Sequence, residues 1–402
     1  MRRLKTVAGW IWRVLLGAFM VQSPLFAVLA VGWVYRAMQR AALKSWWRMS
    51  DEPQAGGTFR EATEEQDSFR GHAYLPNWIT AQEPIAAWKA RQASSSGFWA
   101  IMKNTVFATF GSLGRNFKIG LQGLFNIAVL TILPAMLWQF GWYSGWDNSF
   151  NKGYEQHDIG ILISLMGIAI FIAVMFYLPM AQARQAITGE WRSFYQFRIV
   201  WAIVRTRSIS CLILAALYGL VSLPVTFFKM LPLFLENINP AILEMSDPEL
   251  LEYMNGYFFR AGIVFFLGYW LLHAVAARIY AKGLIEAVAR EKVSIDDLST
   301  WELNALVRLS LVRNDAGNQR HIVIRIVDTV TKPARKIGIV TATILLWFGF
   351  VAQIYVSEFL VYHPKRGMLN QPLIQLPWYN YTPKHLNTSK EPTDSHLKLR
   401  SI

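Results

Sequence analysis

Residues 159–194 read IGILISLMGIAIFIAVMFYLPMAQARQAITGEWRSF, and the change of character inside this stretch decides the fold. The first part, 159–180, carries no charged side chain. It is long enough to cross a hydrocarbon layer, which takes about 20 mostly apolar residues in a helix. Directly behind it come Arg184, Glu190 and Arg192, with Trp191 and Phe194 between and after them. An apolar run delivered into an arginine-rich, aromatic turn is the pattern of a membrane helix ending on the cytoplasmic side.

Outward from this stretch, four more segments have similar length and composition: 119–143, 208–228, 261–277 (extended by 257–259) and 337–356. A sixth, 14–35, is interrupted by Gln22-Ser23-Pro24. The sequence therefore predicts an all-α, polytopic transmembrane bundle with about six membrane segments. Composition agrees. Charged residues are 16% of the chain and apolar ones 53%, against roughly a quarter charged in soluble domains. The 17 Trp, 15 Tyr and 25 Phe suit rings anchored at two interfaces. A net charge of +14 raises the question of nucleic acid, but Lys and Arg cluster beside the apolar segments, which argues for a lipid bilayer and no nucleic acid.

The connecting stretches alternate in sign. Residues 144–158 hold Asp147, Glu155 and Asp158 against Lys152, and 231–259 hold five carboxylates and no basic residue. Residues 181–207 hold five arginines against Glu190, and 278–336 begin with Arg278 and Lys282 and end with Lys332, Arg335 and Lys336. The acidic pair is expected outside and the basic pair inside a bacterial inner membrane. The flanks of 14–35 tie, with Arg2, Arg3, Lys5 and Arg13 before it and Arg36, Arg40, Lys44 and Arg48 after it. Three readings stand there: a plain span, a hairpin broken at Pro24, and a signal peptide cut after Ala30.

The organisation expected is 1–48, an N-terminal membrane segment with basic flanks; 49–97, a polar cytoplasmic loop with an acidic run; 98–283, the membrane core; 284–336, a cytoplasmic helical region; 337–361, the last membrane segment; and 362–402, an extracytoplasmic Pro/aromatic tail. Within the core, Trp99, Met102, Val106, Phe110 and Leu113 recur at helical spacing after Ser94-Ser95-Ser96-Gly97. They predict an amphipathic helix over 98–114, lying on the membrane or on the bundle. Further on, Ser294 with Asp297 resembles a capping box, and Trp301, Leu306, Leu309 and Leu311 offer an apolar face. Two hairpins, 115–192 and 205–283, share landmarks: Leu133-Pro134 with Leu223-Pro224, and Ala183-Arg184…Gly189 with Ala277-Arg278…Gly283. They predict a parallel repeat about an axis along the membrane normal.

Chemistry is sparse. No His-Glu-x-x-His, Walker-type glycine loop, Gly-x-Ser-x-Gly or Cys-x-x-Cys occurs, and the lone thiol, Cys211, lies in an apolar segment. His273 is the one histidine well inside a span. It is a candidate proton relay or axial ligand, but a second inward histidine for a haem is missing, so a packing role is expected and no cofactor is implied. Arg184, Trp191, Arg192, Phe194 and Arg278 are expected at the headgroup level.

The text 178–194, LPMAQARQAITGEWRSF, resembles the Ala-Arg-x-x-x-Thr-Gly turn of uncharacterised bacterial polytopic membrane proteins of the domain-of-unknown-function class. The resemblance covers about 114–283 and implies no activity. Abundant packing surface with few buried ionisable groups points to a non-catalytic accessory, assembly or scaffold subunit, with a membrane-protein partner or a second copy of the chain. A transporter or channel-like protein built from two hairpins, and a lipid-handling enzyme, are the alternatives.

Overall fold

A computed structural model describes residues 2–59, 61–62, 97–141, 157–234 and 238–312, with positions 337–338, 341–342 and 345 besides. Eight α-helices occur among the described residues: α1 Arg2–Met20, α2 Pro24–Met49, α3 Phe98–Gly141, α4 His157–Thr188, α5 Phe197–Thr206, α6 Ser208–Met230, α7 Asp247–Ala289 and α8 Thr300–Arg308. No strand is found among them. Short 3-10 turns at Trp191–Tyr195, Leu231–Phe234, Pro240–Glu244 and Ile295–Asp297 join the helices. Four helices contain windows long and apolar enough to cross a membrane: Phe98–Pro134, Leu165–Thr188, Ser208–Val225 and Pro248–Ala289.

The helix 14–35 demanded by a plain span is not formed. The chain breaks after Met20 and restarts at Pro24, with Ser23 extended at φ −134° and Pro24 as the first helical residue. Proline suits that place because the first turn needs no backbone donor there. The two pieces then run in opposite directions along α7. Trp10 of α1 meets Trp270 at 6.0 Å, and Gln22 at the break donates to the Phe258 carbonyl at 3.2 Å. In α2, Trp33 touches Trp270 at 5.0 Å and Trp46 Nε1 donates to the Ala281 carbonyl at 3.0 Å. This is the broken-hairpin geometry.

Helix α2 forms the centre. Trp33, Tyr35, Met38 and Trp46 are almost wholly buried between α3, α4 and α7. Lipid tails are as apolar as these side chains, so close packing rather than flight from water must hold such helices together. The α2–α3 crossing meets that need with glycine. A Cβ on Gly32 would stand 1.7 Å from the Asn116 carbonyl oxygen, and one on Gly120 would stand 1.9 Å from that of Val28. The two backbones touch. Beside the crossing, buried Arg36 donates to Asn116 Oδ1 at 2.7 Å.

The separate amphipathic helix expected over 98–114 is instead the front half of α3, which runs 44 residues without a break. At 1.5 Å per residue that is about 66 Å, roughly twice the hydrocarbon thickness. Helix α7 likewise absorbs neighbouring loops. Its N-terminus is fixed by a capping box between Ser246 and Glu249, and Glu249 and Glu252 lie in its first two turns. Carboxylates there also complement the helix dipole. Helices α6 and α7 are antiparallel: Tyr257 OH donates to the Phe228 carbonyl at 2.7 Å, and near the other end Arg207 pairs with Glu286.

The landmarks of the proposed repeat do not sit in equivalent places. Pro134 and Pro224 both lie inside helices. Gly189, however, ends α4 at φ +74°, whereas Gly283 lies within α7. Of the matched arginines, Arg184 is buried and Arg278 exposed. Residues 313–336 and the tail 362–402 fall outside the described residues, as do most of the segment 337–361 and most of 49–97.

Candidate functional site

The motif Ala-Arg-Gln-Ala-Ile-Thr-Gly-Glu-Trp-Arg-Ser-Phe-Tyr folds into a compact knot at the basic end of α4. Thr188 Oγ1 donates to the Arg184 carbonyl at 2.9 Å and lies 2.6 Å from Ser193 Oγ. Gly189 supplies the left-handed residue that reverses the chain, a conformation costly for a residue with a Cβ. The 3-10 turn Trp191–Tyr195 then folds back along α4, where the Tyr177 hydroxyl donates to the Phe194 carbonyl. Asn126 of α3 locks the turn from the side. Its amide donates to Gln185 Oε1 and to the Trp191 carbonyl, both at 3.0 Å, and it accepts from Tyr195 OH at 2.9 Å. Burial raises the Tyr195 phenol above its ordinary pKa, which keeps it a neutral donor.

At the centre lies Arg184. Expected at the headgroup level, it turns its guanidinium into the bundle, with 1% of its side chain exposed. Its guanidinium donates to Gln196 Oε1 through Nε, to Tyr280 OH at 2.8 Å through Nη1, and to the Asp297 carbonyl at 3.2 Å through Nη2. Nη1 also reaches Glu302, whose carboxylate oxygens stand 3.3 and 3.4 Å away and whose side chain is 0% exposed. Tyr280 passes the interaction on, donating to Glu302 Oε1 at 2.6 Å. The other carboxylate oxygen accepts from Ser299 N at 3.0 Å and Ser299 Oγ at 2.9 Å, the capping box of α8. One ion pair thus joins α4, α7 and α8.

Glu302 receives donors on both carboxylate oxygens, with the Arg184 guanidinium beside them. A pocket of about 630 Å³ opens over the clamp, lined by Thr188, Glu190, Ser193, Asp296 and Asp297 among others. Both signs of charge mix in it.

Phe194 is fully buried, its ring packed edge-on against Tyr177. Trp191 and Arg192 are exposed, with the guanidinium 5.5 Å from the indole centre, and Arg278 is exposed on α7. The capping box expected at Ser294–Asp297 is a lesser device: Ser294 Oγ accepts from Asp296 N at the start of a 3-10 turn. The reciprocal box lies five residues on, at Ser299 and Glu302. Trp301, Leu306 and Leu309 of the expected apolar face are buried, with Leu311 packed against the same core.

His273 sits in a second cluster, where α2, α4, α6 and α7 meet. Its ring lies 4.0 Å from Tyr269, 6.3 Å from Tyr35 and 6.4 Å from Tyr218. Nδ1 is 2.8 Å from the Tyr269 carbonyl, so it carries the proton and Nε2 presents a lone pair. That lone pair and the hydroxyls of Tyr218 and Tyr269 lack a hydrogen-bond partner among the described residues, although all three side chains are buried. No group of three His, Cys, Asp or Glu able to hold a metal is found among the described residues. Cys211 is buried and unbridged.

The sequence missed Tyr280 and Glu302 as members of a site. The signal available was local: Ser-x-x-Glu at 299–302 announces a cap, and Tyr280 falls one helical turn before Leu284 on the buried face of α7. The expected shortage of buried ionisable groups is overturned by Arg36, Arg184, His273 and Glu302.

These features define an all-helical protein with four helices fit to cross a membrane, two of which, α4 and α7, meet α8 at a buried ion pair bridged by Tyr280. No protein-family model, curated protein or solved structure matches the chain.

Proposed function

We propose that the chain is a non-catalytic, multi-pass protein of the bacterial inner membrane that serves as an accessory, assembly or scaffold subunit. The observation that supports this reading most is the front half of α3. Residues 119–141 already suffice to cross a bilayer, yet the preceding stretch of the same helix leaves Phe98 (72%), Trp99 (74%), Phe107 (65%) and Phe110 (68%) exposed. Large rings exposed along a helix about twice as long as a bilayer crossing needs offer a docking face for a second protein surface, either a membrane-protein partner or another copy of this chain. Affinity purification in mild detergent tests it. A stoichiometric partner should co-purify and be lost on Phe107→Asp with Phe110→Asp. A chain that stays alone, with or without those changes, contradicts the reading.

A second reading, a transporter or channel-like protein, draws on the His273 cluster, because half-satisfied polar groups inside a membrane bundle often lie on a solute or proton route. Purified chain in proteoliposomes would then move solute or protons, and His273→Phe would abolish that movement.

A further inference from the structure

Helix α5 buries Ile199, Val200, Ile203 and Val204 and turns Phe197, Arg198, Trp201 and Arg205 outward as one stripe. Beside this stripe lies a groove of about 460 Å³ lined by Phe197, Arg198, Trp201, Ala202, Arg205 and Lys292. Three cations and two rings line it, and no carboxylate does. No ion pair to Arg198 or Arg205 occurs among the described residues. Lys292 donates to Thr206 Oγ1 at 3.4 Å, which holds its ammonium at the far end of the groove.

The groove has a polarity along the membrane normal. Phe197 stacks on Tyr177 at 5.0 Å, and Trp201 approaches the same ring at 6.0 Å. Tyr177 stands about three helical turns before the end of α4, well back toward the apolar part of that helix. At the opposite end of α5, Arg207 pairs with Glu286 in the terminal turns of α7, and Lys292 follows just beyond them. Phe197, with Arg198 beside it, is therefore set deeper, and Arg205 and Lys292 are set shallower. Below Arg207, α6 continues the surface with exposed Ile209 (53%) and Ile213 (55%), side chains suited to acyl chains.

We propose that this groove binds the headgroup of an anionic phospholipid, with the phosphate between Arg198, Arg205 and Lys292 and the glycerol and upper acyl carbons against Phe197 and Trp201. Aromatic rings belong at this depth, and basic recesses between membrane helices are the usual receptors for anionic headgroups. The inference rests on the membrane reading of α4, α6 and α7. It moves the lipid contact away from Arg184, whose guanidinium is consumed by Glu302 and Tyr280.

Native mass spectrometry of the detergent-purified, delipidated full chain tests it, by titration with phosphatidylglycerol and with phosphatidylcholine of the same acyl chains. The unaltered protein should retain phosphatidylglycerol preferentially. Replacing Arg198, Arg205 and Lys292 together by Gln should remove that preference, at about fivefold in affinity per charge. The same three positions changed to the other basic residue (Arg198→Lys, Arg205→Lys, Lys292→Arg) should keep it, as should Arg278→Gln, an exposed arginine away from the groove. Equal retention of both lipids by the unaltered chain, or full preference in the triple Gln variant, overturns the proposal. A chain released from membranes by alkaline carbonate without detergent would instead overturn the membrane reading beneath it.

Discussion

Arg184 and Glu302, 118 residues apart in the chain, meet at 3.3 Å with side chains 1% and 0% exposed. Such a pair is a weak source of net stability, because desolvating both ions offsets most of their attraction. The pair instead fixes how α8 sits against α4 and α7, because moving α8 would leave both buried charges without their partners.

Breaking the pair from one side should therefore be far worse than removing it. Glu302→Ala or Arg184→Ala leaves a buried charge alone and should cost about 3–5 kcal/mol. The double change Arg184→Met with Glu302→Met should recover most of that. Thermal unfolding in detergent reads the difference, and equal losses in single and double variants would refute the coupling. Tyr280→Phe, which removes one bridging hydroxyl, should cost about 1–1.5 kcal/mol.

Two glycines of α3 should respond oppositely to the same substitution. Gly120→Ala drives a methyl into the Val28 carbonyl, a backbone atom that cannot step aside, and should destabilise by about 1–3 kcal/mol. Gly111→Ala meets nothing within 4 Å and should be neutral or stabilising by up to about 1 kcal/mol through helix propensity. Melting temperatures of the two variants provide the comparison.

His273→Phe should leave the fold standing. The change gives up one hydrogen bond, worth about 1 kcal/mol, but also removes a buried acceptor without a partner, which offsets it. A melting temperature within a few degrees of the unaltered protein is expected. A collapse of the fold would mean that Nε2 is held by something of structural weight.

The helical class and the positions of α4, α6 and α7 were legible in the sequence, because hydropathy over 20 residues reports directly on lipid as solvent. Ser23-Pro24 carried the break between α1 and α2, but hydropathy averages across it, so 14–35 also passed for one span. The motif 178–194 was visible as unusual text, yet its meaning was misread. An arginine one turn after an apolar run looks like a headgroup contact unless its partner is known, and Glu302 is supplied by a helix more than a hundred residues later. Tertiary pairing of that kind leaves no periodic trace. The front half of α3 failed for a different reason: a stripe of apolar residues at helical spacing reports a helix and its face, but not that the helix runs on unbroken into residues 119–141.

The proposed topology puts the arginine-rich knot after α4 and the carboxylate-rich start of α7 on opposite sides of one membrane. Single cysteines at Arg192 and Glu249, both exposed, test it in a Cys211→Ala background with a membrane-impermeant maleimide. In intact spheroplasts Glu249→Cys should react at once and Arg192→Cys only after permeabilisation. Reaction of both from the same side would contradict the bundle as described.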